Sequence, residues 1–233
     1  VGENGAGKTT LVKLLSRLYD PSQGQILLNG RDLREYDPEE YYRQVGVIFQ
    51  DFTRYELTAR ENVGFGSIQA VDDLTQVRQA AEMGGALGLI EKLPGGFETM
   101  LGKRFENGDP TRKSVDLSGG EWQKIALARA FMGTVNRGNA SLLILDEPTA
   151  ALDAYAEAEV YSRFSELTQG KTTLFVTHRL SSVKIAHTIL VLKQGRLIEE
   201  GNHAALLELK GEYAKMFSLQ AERYQIHSTE DGI

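Results

Sequence analysis

The sequence predicts an α/β fold in which a mostly parallel core sheet is interrupted by an inserted α-helical segment, and three observations predict it. Ser141–Leu145 and Thr172–Val176 are apolar runs without alternation, the pattern of strands covered on both faces. From about Asp72 to Met132 the chain turns mostly helical. It opens on Gly2-Glu3-Asn4-Gly5-Ala6-Gly7-Lys8-Thr9, which fits G-x-x-x-x-G-K-[ST], a loop that joins a buried strand to a helix N-terminus. Only Val1 of that strand is present, so the polypeptide is expected to begin upstream. Residues 1–71 and 133–233 are expected to form the α/β core, with 72–132 as the helical subdomain.

Each element has its own signal. Leu11, Leu14, Leu15 and Leu18 recur at helical spacing behind the opening loop. Gln25–Asn29 reads as a short strand between Gly24 and Gly30. Asp37-Pro38 starts a short helix through about Arg43, with proline where its missing N–H costs little. Val45–Phe49 is an apolar strand ending at Gln50. The helical segment is interrupted at Pro94-Gly95-Gly96 and at the polar stretch Glu106–Lys113. Ala156–Leu167 reads as a helix between the two buried strands. Thr188–Leu192 and Arg196–Glu200 flank Gln194-Gly195 as a hairpin. Helices at about His203–Leu209 and Glu212–Tyr224 follow, and the polar end Gln225–Ile233 is expected to fray.

Composition bounds the function. The 233 residues make one large domain or two small ones, and 41% hydrophobic with 25% charged residues is ordinary for a globular chain. A net charge of −6 argues against a generally basic nucleic-acid binder. The absence of cysteine excludes disulfides and thiolate metal sites, and suits a reducing compartment. No apolar run approaches the ~18 residues of a membrane span.

The opening loop carries chemistry. Its glycines let backbone N–H groups turn inward around phosphates without a Cβ in the way. Lys8 adds a point charge, and the Thr9 hydroxyl suits a Mg²⁺ ion. Leu142–Leu145 delivers two adjacent carboxylates, Asp146 and Glu147, ahead of Pro148. They lie at the C-terminal end of a buried strand, where α/β sheets bind ligands. Asp146 suits outer-sphere support of the metal, and Glu147 suits a general base acting on water. Ser118-Gly119-Gly120-Glu121 reads as a capping box whose glycines leave N–H groups bare at a helix N-terminus. Alone, that segment is an ordinary capped helix.

The order of phosphate loop, isolated Gln50, Leu117-Ser118-Gly119-Gly120, the Asp146-Glu147 strand, Ala151-Leu152-Asp153 and His178 resembles the ATP-binding cassette of ABC transporters, to about Tyr224. The resemblance implies a P-loop NTPase fold of ABC cassette type, ATP and Mg²⁺ as cofactors, and ATP hydrolysis. It carries Gly2 through Thr9, with Thr10, over as phosphate contacts, and Thr9, Gln50 and Asp146 as metal-side residues. Glu147, His178 and Gln50 become catalytic. Ser118, Gly119 and Gly120 contact ATP across a head-to-tail dimer with a second cassette, a homodimer, and Asp153 couples the two sites. His187, His203 and His227 are read as structural. The aromatic that stacks on adenine in this family lies upstream of the loop.

Finer features resemble the exporter branch, whose cassettes sit behind membrane helices. They are Thr177-His178-Arg179-Leu180-Ser181-Ser182 and the tail from Gly201 to Tyr213. Asp51-Phe52-Thr53-Arg54-Tyr55 and Glu121-Trp122-Gln123 resemble peptide and lantibiotic exporters. Glu121 stands where glutamine is commoner, and Lys103–Asp116 departs from the usual segment before the signature. The implied partner is a transmembrane domain fused upstream, the implied location the cytoplasmic face of the plasma membrane, and the implied cargo a peptide or lipid. Tyr36–Gln44 and Gln50–Tyr55 are candidate docking surfaces for the membrane domain. The alternatives are a separate ATPase subunit and a soluble ABC ATPase that moves nothing; one motif set and no sustained heptad run weigh against the second. No nucleic-acid partner is expected.

Overall fold

The computed structural model describes residues 1–103, 114–135, 142–149, 157, 160 and 171–230. Asp153 and most of the expected helix Ala156–Leu167 lie outside the described residues. The chain divides into two compact units, Val1–Leu15 with Val176–Ile233, and Ser16–Phe175. Among the described residues no helix is long and apolar enough to cross a membrane.

Helix α1 (Lys8–Leu15) starts directly from the glycine loop. It stops one turn before the predicted Leu18, because Arg17 takes φ 52° and a left-handed residue ends a helix. Leu18 is consequently exposed. The predicted strand at 25–29 is shorter and has a partner: β1 (Leu27–Leu28) pairs antiparallel with β2 (Arg31–Asp32). Asn29 and Gly30 both take positive φ, 52° and 80°, which makes the tight hairpin turn that Asn-Gly favours. In α2 (Pro38–Tyr42), the Asp37 carboxylate accepts from the N–H groups of Glu39 and Glu40. Next come β3 (Val45–Ile48) and α3 (Ala59–Gly64), the latter opened by a Thr58–Glu61 capping box.

The expected helical stretch contains α4 (Leu74–Met83), α5 (Leu87–Ile90) and α6 (Gly119–Val135). It also holds a small parallel sheet of β4 (Met100–Leu101) and β5 (Ser114–Val115) that periodicity did not reveal. Helix α6 is buried around most of its circumference. Trp122, Ile125, Ala128 and Met132 pack with Val77, Ala80 and Ala81 of α4 and Val63 of α3. On its other side Ala126, Leu127, Ala130 and Phe131 pack on Ile48, Leu143 and Leu145. A helix between two cores needs no polar face.

Strand β6 (Leu142–Asp146) is buried at every position and pairs parallel with β3, Val45 opposite Leu142 through Ile48 opposite Leu145. The sheet order is β3-β6-β7, with β7 spanning Thr172–Val176. The sequence suggested that both strands are buried on both faces. Only β6 is: β7 stands at the end of the sheet order and buries only Val176 fully.

In the other unit, α7 (Leu180–Val183) precedes the hairpin of β8 (Ile189–Lys193) and β9 (Arg196–Gly201). Its turn residues Gln194 and Gly195 take φ 49° and 74°. Asn202 caps α8 (His203–Glu208). Helix α9 (Glu212–Glu230) runs through the segment expected to fray. Val183, Ile189, Val191, Leu206 and Tyr213 form this unit's core.

Candidate ATP-binding and hydrolysis site

The glycine loop is anchored by β8. Val1 donates its amino group to the Leu190 carbonyl at 2.7 Å and accepts from Leu192 N–H at 2.9 Å, the straddling pattern of parallel pairing. This fits the expectation that a strand feeds the loop at Val1. Gly2 has φ 152°, and a Cβ there would meet the Leu192 carbonyl oxygen at 2.3 Å. Gly5 and Gly7 also have positive φ, 78° and 101°, and open space lies where Gly5 would carry a Cβ. Glycines at these positive-φ positions let backbone N–H groups turn toward a phosphate without a Cβ in the way. Gly195 N–H donates to the Ala6 carbonyl at 3.0 Å, fixing the loop to the β8–β9 turn. The Lys8 ammonium folds over the loop, donating to the carbonyls of Gly2 at 2.7 Å and Glu3 at 2.8 Å. Asn4, Thr9 and Thr10 are exposed.

His178 is an exposed residue between β7 and α7. It lines a cavity with Val1, Gly2, Thr177 and Gln220, and Gln220 Nε2 donates to its carbonyl at 2.7 Å. Thr177 Oγ1 accepts from Arg179 N–H at 2.9 Å and Ser182 Oγ donates to the Arg179 carbonyl at 2.6 Å, shaping the turn. His203 differs in kind: its Nδ1 lies 2.8 Å from the Tyr213 hydroxyl and its ring packs edge-on to Tyr213. Those contacts agree with a structural histidine.

The other unit brings Gln50 and Glu147 together, although 97 residues separate them. Gln50 Nε2 donates to Glu147 Oε2 at 3.0 Å. The pairing of β3 with β6 explains this, since both strands deliver their C-terminal ends to one edge of the sheet. Asp146 is buried, 3% exposed. Glu147 takes φ 50°, an uncommon conformation for a residue with a Cβ. Ser118 caps α6 as expected: its N–H donates to Glu121 Oε2 at 2.7 Å, and its Oγ accepts from Glu121 N–H at 3.3 Å. Glu121 therefore fills the reciprocal role in place of glutamine. Gly119 and Gly120 form the first helical turn behind it.

Two residues to which the sequence assigned no role join these parts. Gln123, 2% exposed, donates from Nε2 to the Glu147 carbonyl at 3.2 Å. Arg129 donates to the carbonyls of Asn62 at 2.8 Å and Thr53 at 3.0 Å, and to Asn62 Oδ1 at 3.0 Å. Its guanidinium lies 4.6 Å from the centre of the Tyr55 ring. Burial lowers the Arg129 pKa to about 10. The available signal was a polar residue at each of two core-facing positions of an apolar helix.

The family model described as ABC transporter matches residues 1–150. The chain belongs to the ABC transporter family. An ATP-dependent lipid A-core flippase of Methylococcus capsulatus is 42% identical over 220 residues, 94% of this chain and 34% of that protein. The Subtilin transport ATP-binding protein SpaT of Bacillus subtilis is 40% identical over 232 residues, 100% of this chain and 36% of that protein. The structure of a bacterial Atm1-family ABC exporter with ATP bound superposes with TM-score 0.82 at 36% identity, over 94% of this chain and 36% of that chain. This ABC chain thus spans 34% to 36% of the length of these relatives. It is an ABC transporter ATP-binding domain of the cassette fold, homologous to the corresponding domains of exporters.

Proposed function

We propose that this ABC domain hydrolyses ATP with Mg²⁺ and powers export through a transmembrane domain fused upstream of it. The observation that carries the reading is the Gln50–Glu147 contact at the end of a buried strand. It joins an amide suited to sensing the metal side to a carboxylate suited to accepting a proton from water. Residues 2–10 hold the phosphates, with Lys8 supplying the charge. Thr9, Gln50 and Asp146 offer only oxygen donors, which fits a hard cation; bound there, Mg²⁺ supplies charge neutralisation for phosphoryl transfer. Glu147 orients the attacking water and takes its proton. His178 holds the terminal phosphate.

Ser118, Gly119 and Gly120 sit at the N-terminus of a long capped helix, where bare N–H groups and the helix dipole favour an anion. In our reading they serve the ATP of a second copy of the chain in a head-to-tail homodimer, with Asp153 coupling the two sites. Residues 72–132 act as the signature-bearing helical subdomain on the α/β core of 1–71 and 133–233. The assembly works at the cytoplasmic face of the plasma membrane, with 36–44 and 50–55 meeting the membrane domain. The transported cargo is a peptide or a lipid; among its relatives one is named for subtilin transport and another as a lipid A-core flippase.

The test is an ATP titration of the complete protein and its Lys8→Ala variant. Losing a charge-assisted contact weakens affinity by roughly 10- to 100-fold. Equal affinities would overturn the phosphate assignment.

A further inference from the structure

We propose that Gln123 is a positioning residue for Glu147, holding the backbone of the proposed general base in its left-handed conformation and tying it to the N-terminal part of the signature helix. The proposal rests on the reading of Glu147 given above.

Three observations converge. Glu147 takes φ 50° although it carries a side chain, and it precedes Pro148, where a residue is steered toward extended backbone. A conformation opposed by both its own Cβ and its neighbour persists only where the surroundings over-determine it. Gln123 supplies one such constraint, since its buried amide donates to the Glu147 carbonyl at 3.2 Å. The carboxylate at the other end of the same residue accepts from Gln50 Nε2 at 3.0 Å. Main chain and side chain of Glu147 are therefore gripped by two amides on different elements.

The placement of Gln123 gives the grip a second consequence. It lies two residues after Glu121, whose carboxylate closes the Ser118 capping box, and one after Trp122, which packs in the helical core. A shift of the N-terminal part of this helix carries the amide with it. The carbonyl of Glu147 then loses this donor, which frees the residue to relax toward ordinary backbone with its carboxylate re-aimed. The signature turn and the base are thus joined within one chain.

Two variants separate positioning from packing. Gln123→Met keeps the buried volume and removes the donor; Gln123→Glu keeps the shape and places an acceptor against the carbonyl. In the complete protein, each is expected to lower kcat for ATP hydrolysis roughly tenfold, the rate equivalent of about 1.4 kcal/mol, with KM for ATP within about twofold. Single-turnover hydrolysis is then measured for each variant in the Glu147→Gln background. Positioning through Glu147 predicts no further loss there, whereas general packing damage predicts the same loss in both backgrounds. An unchanged kcat in both Gln123 variants, or an additive loss, overturns the proposal alone. Undiminished turnover in Glu147→Gln overturns the reading of the base and this proposal with it.

Discussion

Replacing Arg129 by alanine should destabilise the protein well beyond the effect of an ordinary surface substitution. The guanidinium makes three hydrogen bonds of 2.8–3.0 Å, two of them to the fully buried Asn62. Asn62 in turn donates to the carbonyls of Tyr55, Leu57 and Thr58 at 2.9, 3.2 and 3.1 Å. Truncation leaves the Asn62 acceptors facing a void, at about 1–3 kcal/mol for each unmet buried group. The contact with the Tyr55 ring adds about 0.5–1 kcal/mol. Relief from burying a charge, whose strain shows in the lowered pKa of about 10, offsets part of this. A net loss of about 3 kcal/mol is expected, or about 6–12 °C in Tm for a chain of this size. Trp122, the single tryptophan, is buried in the same helix, so its fluorescence in a urea titration reports the change. Arg129→Lys should recover little, because one ammonium cannot replace a planar fork. A loss under about 1 kcal/mol for alanine, or full recovery by lysine, would refute the reasoning.

Further outcomes follow from local geometry. In Gly84→Ala the new Cβ would lie 2.3 Å from Ala128 N and 2.8 Å from its Cβ, forcing α4 and α6 apart at about 2–3 kcal/mol. Gly88→Ala, where nothing lies within 4 Å, should instead stabilise by about 0.5–1 kcal/mol; equal urea midpoints for the two variants would contradict the packing. The hydroxyl of Thr58, and then its N–H, hold the Glu61 carboxyl below its ordinary pKa. A depressed folded pKa gives stability that is present above the unfolded value of about 4.3 and is lost as pH falls through the folded one. Glu61→Gln should therefore flatten the acid limb of the stability profile below about pH 4.3, and parallel limbs for the two proteins would count against the capping contact.

What the sequence made legible follows from the range of each signal. The phosphate loop, the Ser118–Glu121 cap and the Gln194-Gly195 hairpin turn are contiguous, so short-range chemistry announces them. Asn29-Gly30 carries an equally local hairpin signal, but Arg31–Asp32 has no apolar residue to mark it as a strand. Thr58 and Glu61 form a full capping box, and α3 behind it is too short to show a period. Burial of β6 against partial exposure of β7 could not be read, because Ser141–Leu145 and Thr172–Val176 are both uninterrupted and only the sheet order distinguishes them. Least legible were Gln123 and Arg129. Their partners are main-chain carbonyls 24 and 67–76 residues away, and a carbonyl has no residue identity to recognise.

The central claim is that Glu147 is the base for ATP hydrolysis, and the most direct measurement compares binding with turnover in Glu147→Gln of the complete protein. The account predicts ATP affinity within about twofold of the unaltered protein and hydrolysis slowed by about 10²-fold or more, the typical worth of a positioned base. Brisk hydrolysis at unchanged affinity would contradict it.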